Sequence, residues 1–250
     1  MTTRFGRRAM ACVCAMAGLF ATCSEASVVI GGTRVVYPSV DKEVTVKFTN
    51  QGKHPALVQV WMDRGDENST PDSIRVPFTI MPPIFRVEPD KGQAVRVLYT
   101  KEALPADKET LFWFNVLEVP PKTANQDGQN LLQFAIRTRV KFFFRPSGLP
   151  GSAADAFDQL TWQLVNGEGG KGVALQVANP TPYYVNFARV GVKADGNSYM
   201  ERGGGLVAPG GTSTFPLSGI SARPSGDAKA QFDVINDYGA IGSHEKPIAP

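Results

Sequence analysis

Between Leu131 and Pro146 the chain reads LLQFAIRTRVKFFFRP, and apolar and charged residues alternate along it. Leu132, Phe134, Ile136, Thr138, Val140, Phe142 and Phe144 take the even positions, whereas Gln133, Arg137, Arg139, Lys141 and Arg145 take odd ones. A period of two predicts a β-strand with one apolar and one basic face. Sixteen residues at about 3.3 Å each span roughly 50 Å. A domain of about 100 residues has a radius of gyration of only about 13 Å. One small core cannot cover the whole stripe, so part of the strand is expected to overhang, with Leu132, Phe134 and Ile136 facing something other than their own domain. Proteins normally blunt an exposed apolar edge. Keeping one indicates that it is used, and it leaves self-association of the free protein open.

The rest of the chain repeats the strand signature in shorter runs. Glu43–Thr49, Ala56–Met62 and Ala94–Tyr99 precede the long strand, and Leu160–Val165, Val173–Ala178, Tyr183–Val192 and Ala230–Ile235 follow it. Short runs separated by Gly, Pro and Asn predict an all-β chain built of sandwiches. Helical periodicity is absent except for a short turn expected within Ala103–Thr110. Pro146, Gly148, Pro150 and Gly151 interrupt the pattern. We therefore divide the chain into residues 1–26, an N-terminal domain at 27–147 and a C-terminal domain at 148–250, both immunoglobulin-like.

Residues 1–26 read as a secretory leader. Arg4, Arg7 and Arg8 precede a short apolar stretch, Ala9–Ala21, and Ser24-Glu25-Ala26 is a small-x-small cleavage site. All three cysteines (Cys12, Cys14 and Cys23) lie inside it, so the chain after cleavage has no disulfide framework and no thiolate. Cleavage removes three Arg and one Glu, taking the net charge from +3 to +1, a balance that argues against nucleic-acid binding. No later apolar run reaches membrane-span length.

Candidate chemistry is sparse. His54 and His244 are expected to be solvent-exposed loop residues, and neither sits at a metal-ligand spacing. Gly167-Glu-Gly-Gly-Lys-Gly172 has loop composition without a phosphate-loop pattern and reads as a turn. No catalytic residue, metal site or cofactor is assigned. Arg34 and Lys141 each sit inside a strand-like run. Lone strand cations ordinarily face solvent; a pair meeting in a cleft would instead bind a carboxylate through charge-assisted hydrogen bonds. Glu109, Arg145 and Asp237 read either as scattered surface charges or as a network across the domain junction. Exposed pairs add little stability, so the expected role of such a network is orientational.

Several segments resemble the PapD-like family of periplasmic pilus chaperones. They are Thr33–Tyr37, Pro77–Pro83, Leu104–Asn115, Glu118–Pro121, Ile136–Pro146, Asn179–Val185 and Ile235–Gly239, which follow the family's order along the chain after the leader. The resemblance implies two immunoglobulin-like domains at an angle and a periplasmic location. It also implies pilus subunits and an outer-membrane usher as partners, with no cofactor. Pilus subunits of this family are sandwiches lacking one strand, and the chaperone lends its own. By resemblance, Arg34 and Lys141 bind the subunit's C-terminal carboxylate, and Leu132, Phe134 and Ile136 are the donated side chains. Glu109, Arg145 and Asp237 match the interdomain charge cluster. Phe134 departs from the aliphatic residue expected there, which implies a wide subunit groove.

Two rival readings are weighed. A structural or adhesive β-sandwich that polymerises by strand exchange needs an N-terminal donor extension, and Ser27–Val36 enters a strand motif at once. An exported hydrolase on a β-sandwich needs a carboxylate pair, and none stands out.

Overall fold

The computed structural model describes residues 27–119, 134–167, 169, 172–194, 196–201, 203–220, 223–224 and 226–249. The leader, Leu132 and the segment before it lie outside the described residues.

Nine strands form the first sandwich: β1 (Val28–Ile30), β2 (Arg34–Pro38), β3 (Glu43–Asn50), β4 (Ala56–Asp63), β5 (Phe78–Met81), β6 (Ile84–Val87), β7 (Gly92–Tyr99), β8 (Thr110–Val119) and β9 (Ile136–Arg145). One sheet has the order β1-β3-β7-β5 and the other β2-β9-β8-β4-β6. Alternation explains the layers. Ala56, Val58, Val60 and Met62 of β4 and Phe112, Phe114 and Val116 of β8 point inward with Val46, Phe48, Val95 and Val97 of the facing sheet. Edge-to-face aromatics close the lower half, with Phe78 centred 5.0 Å from Phe142 and 5.1 Å from Phe112.

The second sandwich follows from β10 (Thr161–Asn166), β11 (Val173–Ala178), β12 (Val185–Ala194), β13 (Asn197–Glu201), β14 (Gly205–Val207), β15 (Thr212–Pro216), β16 (Lys229–Ile235) and β17 (Ile241–Pro247). The sheets are β10-β11-β15 and β13-β12-β16-β17, with β14 also paired to β12. Trp162 stacks on Phe232 at 4.7 Å in its core. The two buried clusters share no residue, so each domain has its own core.

Three expectations are corrected. The long strand begins at Ile136 among the described residues, and Phe134 and Ala135 are not in strand. Its antiparallel ladder with β8 ends at Glu118↔Ile136, so no described neighbour pairs the backbone before that point. The short helical turn expected in Ala103–Thr110 is absent; single turns of 3-10 helix lie instead at Pro71–Ser73 and Ala156–Gln159. Pro105 lacks the N–H that a helical turn would use there. His244 is not in a loop: it lies in β17, half-buried, with its ring 4.0 Å from that of Phe157 and 5.8 Å from that of Phe232. The run Gly242-Ser-His-Glu245 has little strand propensity, and pairing with β16 imposes the strand. Of the two readings open for Glu109, a surface charge does not hold: it is buried, as a junction network requires.

Candidate functional site: two cations at the end of an open strand edge

Every sheet pairing between the named strands is antiparallel except one. β2 runs parallel to β9, with Arg34 directly opposite Lys141 and Pro38 opposite Arg145. The pairing covers only Lys141–Arg145. On that side of β9, residues 136–140 have no strand neighbour among the described residues. The open edge therefore ends where β2 begins, at the two cations.

The burial of the even positions changes along this strand. Phe134 is 71% exposed and Ile136 37%, whereas Val140 is 7%, Phe142 0% and Phe144 4% exposed. Phe142 and Phe144 fill the first core, and Phe134 and Ile136 lie beyond it. Leu132 lies outside the described residues.

Arg34 and Lys141 are half-buried, and both are held by the second domain. Nη1 of Arg34 donates to the Ile235 carbonyl at 3.1 Å, and Nζ of Lys141 donates to Oδ1 of Asn186 at 2.7 Å. Neither is in an ion pair with a described carboxylate, and Nε of Arg34 is buried without a hydrogen-bond partner among the described residues. Burial pushes the Lys141 ammonium down to about 8, and repulsion from Arg34 adds to the effect. Burial likewise lowers Arg34, against the opposing pull of Asp237. Two half-buried cations on adjacent strands, neither paired with a described carboxylate, present a fork and a point charge of the kind that suits a carboxylate.

The junction charges are brought together as well. Arg145 donates from Nε to Glu109 at 2.6 Å and from Nη1 and Nη2 to the two oxygens of Asp237 at 2.7 and 3.0 Å. Glu109 also accepts the Tyr184 N–H at 2.7 Å. Asn179 orders the preceding turn, accepting the Thr181 N–H at 3.0 Å and donating to the Tyr183 carbonyl at 2.7 Å, which aims that N–H at Glu109. Asp237 rides on the β16–β17 turn, where Gly239 has φ +85° and a Cβ would come 2.6 Å from Oγ1 of Thr33, so a side chain there would push the domains apart. Burial works to raise the Glu109 carboxyl, and this outweighs Arg145 and the Tyr184 N–H. Burial works to lower Arg145, but its hydrogen bonds to Asp237 and the charge of Glu109 hold it above its ordinary value.

The burial of Glu109 changes the expected cost of losing Arg145. Arg145→Ala would leave an uncompensated buried carboxylate, so a loss of about 3 kcal/mol is expected, the lower end for a broken buried pair. Glu109 would then protonate more readily in the folded state than in the unfolded one. Its destabilisation is fully felt above the folded pKa and relieved below it, so melting at pH 5 should recover part of the loss seen at pH 7. Small-angle scattering should show a wider spread of interdomain angles. An unchanged melting temperature at pH 7 would contradict this arrangement.

Sequence reasoning missed Asn186, the Ile235 carbonyl and the parallel β2–β9 pairing. A buried Asn within the apolar run Val185-Asn186-Phe187 was the one available signal for the first. The carbonyl and the pairing have no signature in single residues.

The architecture defines a class: a two-domain immunoglobulin-like protein with an open strand edge that ends at two half-buried cations held by the second domain. The family models for the pili and flagellar-assembly chaperone PapD N-terminal domain and the pili assembly chaperone PapD C-terminal domain match residues 27–150 and 155–246. The chain belongs to this family and is a fimbrial chaperone. It is 44% identical over 223 residues to the probable fimbrial chaperone YadV of Escherichia coli K12, covering 88% of this chain and 89% of the relative. It is 39% identical over 240 residues to the chaperone protein FimB/FhaD of Bordetella pertussis, covering 94% and 93%. Among solved structures, the YadV chaperone superposes with a TM-score of 0.76 at 39% identity, covering 89% of this chain and all of the other. The Salmonella enterica SafB chaperone in complex with the SafA pilin superposes at 0.71 and 30% identity, covering 89% and 96%.

Proposed function

We propose that this chaperone holds pilus subunits by lending them β9, with Arg34 and Lys141 binding the subunit's C-terminal carboxylate and Phe134 and Ile136 filling its open groove. The observation that carries this reading is that the unpaired edge of β9 ends at the two cations. β2 lies parallel to β9 and starts at Arg34. An incoming strand laid along residues 136–140 in the same direction would bring its C-terminus to Arg34 and Lys141. The anchor would then set register, and register matters because a slip of one residue turns the apolar face away from the groove. Each donated large apolar side chain contributes about 1.5–3 kcal/mol on burial, before the cost of association. Leu132 continues the same alternation and is proposed as the third donated residue. The capture is non-covalent and uses no cofactor.

The complementary roles follow from the same reading. Glu109, Arg145 and Asp237 hold the angle between the domains so that the anchor keeps its second-domain partners. The same reading takes domains at 27–147 and 148–250 after a cleaved leader at 1–26; such a leader would send the protein to the periplasm, where it would pass subunits to an outer-membrane usher. No helix among the described residues is long and apolar enough to cross a membrane. In the absence of a subunit, the same edge and Phe134 are available to a second copy.

The test is co-expression with a cognate pilus subunit, either native or extended by several residues past its C-terminus. The native subunit is expected to co-purify at equal stoichiometry and the extended one not to. Equal recovery of both would overturn the anchor, and recovery of neither would overturn the strand-lending reading.

A further inference from the structure

The outer face of the β2-β9-β8-β4-β6 sheet carries a polar assembly that the proposed capture does not use. Asp63, the last residue of β4, is 1% exposed although it is a carboxylate. It accepts from Nη2 of Arg139 at 2.8 and 3.1 Å and from Nδ2 of Asn115 at 2.7 Å, and Nη2 of Arg137 approaches it at 3.6 Å. Oδ1 of Asn115 accepts from Nε and Nη2 of Arg137 at 3.0 and 2.8 Å. Nη1 of Arg137 donates to the Glu67 carbonyl at 2.6 Å, and Arg139 reaches the Glu67 carboxylate at 3.1 Å. Beneath the two guanidinium groups lie indole rings: Arg137 is 4.8 Å from the ring of Trp61 and Arg139 is 4.7 Å from that of Trp113.

This assembly ties one short stretch of one strand. Arg137 and Arg139 are alternate residues of β9, and they lie between the exposed Ile136 and the anchor residue Lys141. That stretch has β8 on one side and no strand neighbour on the other among the described residues, so backbone pairing holds it from one side only. A half-paired edge twists and frays. Two arginines locked across β8 to β4 resist both motions, because a planar guanidinium stacked on an indole and bonded at two or more nitrogens has little freedom. Asp63 also accepts the Gly65 N–H at 2.6 Å, so it meets three hydrogen-bond donors while Asn115 meets two nitrogens of Arg137, more than are needed to neutralise one carboxylate.

We propose that Asp63, Asn115, Arg137 and Arg139 are positioning residues that hold the open edge of β9 in pairing geometry before a subunit arrives. They act through the backbone of residues 136–140 and touch neither the carboxylate nor the groove. The inference rests on the strand-lending reading above. Pre-ordering an edge that must pair with a partner lowers the ordering cost of association, so the arrangement should appear in affinity more than in melting.

The test uses the full-length chaperone and a native cognate subunit. Arg137→Gln keeps part of the stem over Trp61 and breaks the fork to Asn115. Asp63→Asn keeps the shape and removes the charge that Arg139 faces. Amide hydrogen exchange of the free protein at residues 136–140 should quicken at least tenfold in both variants, with little change at β3 and β7. Subunit affinity should fall at least tenfold for Arg137→Gln, with its melting temperature within a few degrees of wild type, and Arg137→Lys should recover less than half of the loss. Unchanged exchange at 136–140, or affinity lost only in proportion to a fall in melting temperature, would overturn the positioning role. Should Asp63→Asn fail to fold, Arg137→Gln decides alone. Failure of the wild-type protein to hold the subunit would sink the strand-lending reading itself, which is a distinguishable result.

Discussion

Replacing both Arg34 and Lys141 by alanine is expected to abolish subunit capture, lowering affinity by at least about a hundredfold, while the protein still folds. Truncating one partner of a desolvated, hydrogen-bonded charge pair costs about 2–5 kcal/mol, and here two such partners are removed. The fold should tolerate the change because neither cation is in an ion pair with a described carboxylate, and their partners are an amide oxygen and a backbone carbonyl. Co-purification of a native subunit with the double variant at wild-type yield would end the anchor assignment. The same site makes capture pH-dependent. Burial and Arg34 hold Lys141 at about 8, below the ordinary 10.5. In the free protein, the folded state loses this proton before the unfolded state does. The unfolded chain thus binds more protons between pH 8 and 10.5, and the contribution of Lys141 to stability rises with pH across that window. Capture should move the other way, because a carboxylate needs the ammonium. Affinity is expected to weaken as pH rises through 8, approaching about tenfold per pH unit above it. Lys141→Arg, which stays charged, should flatten the profile. Titration calorimetry at pH 7, 8 and 9 measures both.

Phe142→Ala and Phe134→Ala are expected to behave oppositely although they lie on one face of one strand. Phe142 is fully buried, with its ring 5.0 Å from Phe78 and 6.0 Å from Tyr37. Cutting it to alanine opens a cavity among packed aromatics and should cost about 3–5 kcal/mol. In a domain of this size that lowers the melting temperature by more than about 10 °C. Phe134 is 71% exposed, so its removal should leave melting unchanged or reduce self-association, while weakening subunit binding. Ile136, at 37% exposure, should fall close to Phe134. Melting curves with subunit pull-downs for the three variants decide the matter. Equal melting losses for Phe134→Ala and Phe142→Ala would mean that the whole stripe is core.

Glu109 shows why single residues leave two readings open. A carboxylate in Lys108-Glu109-Thr110 has the composition of a surface loop. It is buried at the domain junction, where its carboxylate accepts the Tyr184 N–H of the second domain and the Nε–H of Arg145. The same holds for Asp63, which ends an apolar strand and is sealed by arginines from β9. Both groups are buried by partners distant in the chain, and a partner some 75 residues away leaves no local pattern.

Alternation was sufficient to identify the strand Ile136–Arg145, because side-chain direction in a strand depends only on parity, and its apolar positions continue in sequence past what one core covers. The short apolar runs likewise settled an all-β architecture, and the cysteine positions excluded disulfides from the chain after residue 26. Only the tertiary structure decided where the stripe leaves the core, since that depends on where β8 stops pairing and where β2 starts. It also decided that Arg34 faces Lys141. That juxtaposition comes from a parallel pairing of the first domain's second and last strands, more than 100 residues apart in sequence. Such pairing is set by the closing of the whole sandwich, in which every strand competes for an edge, and no local propensity encodes the outcome.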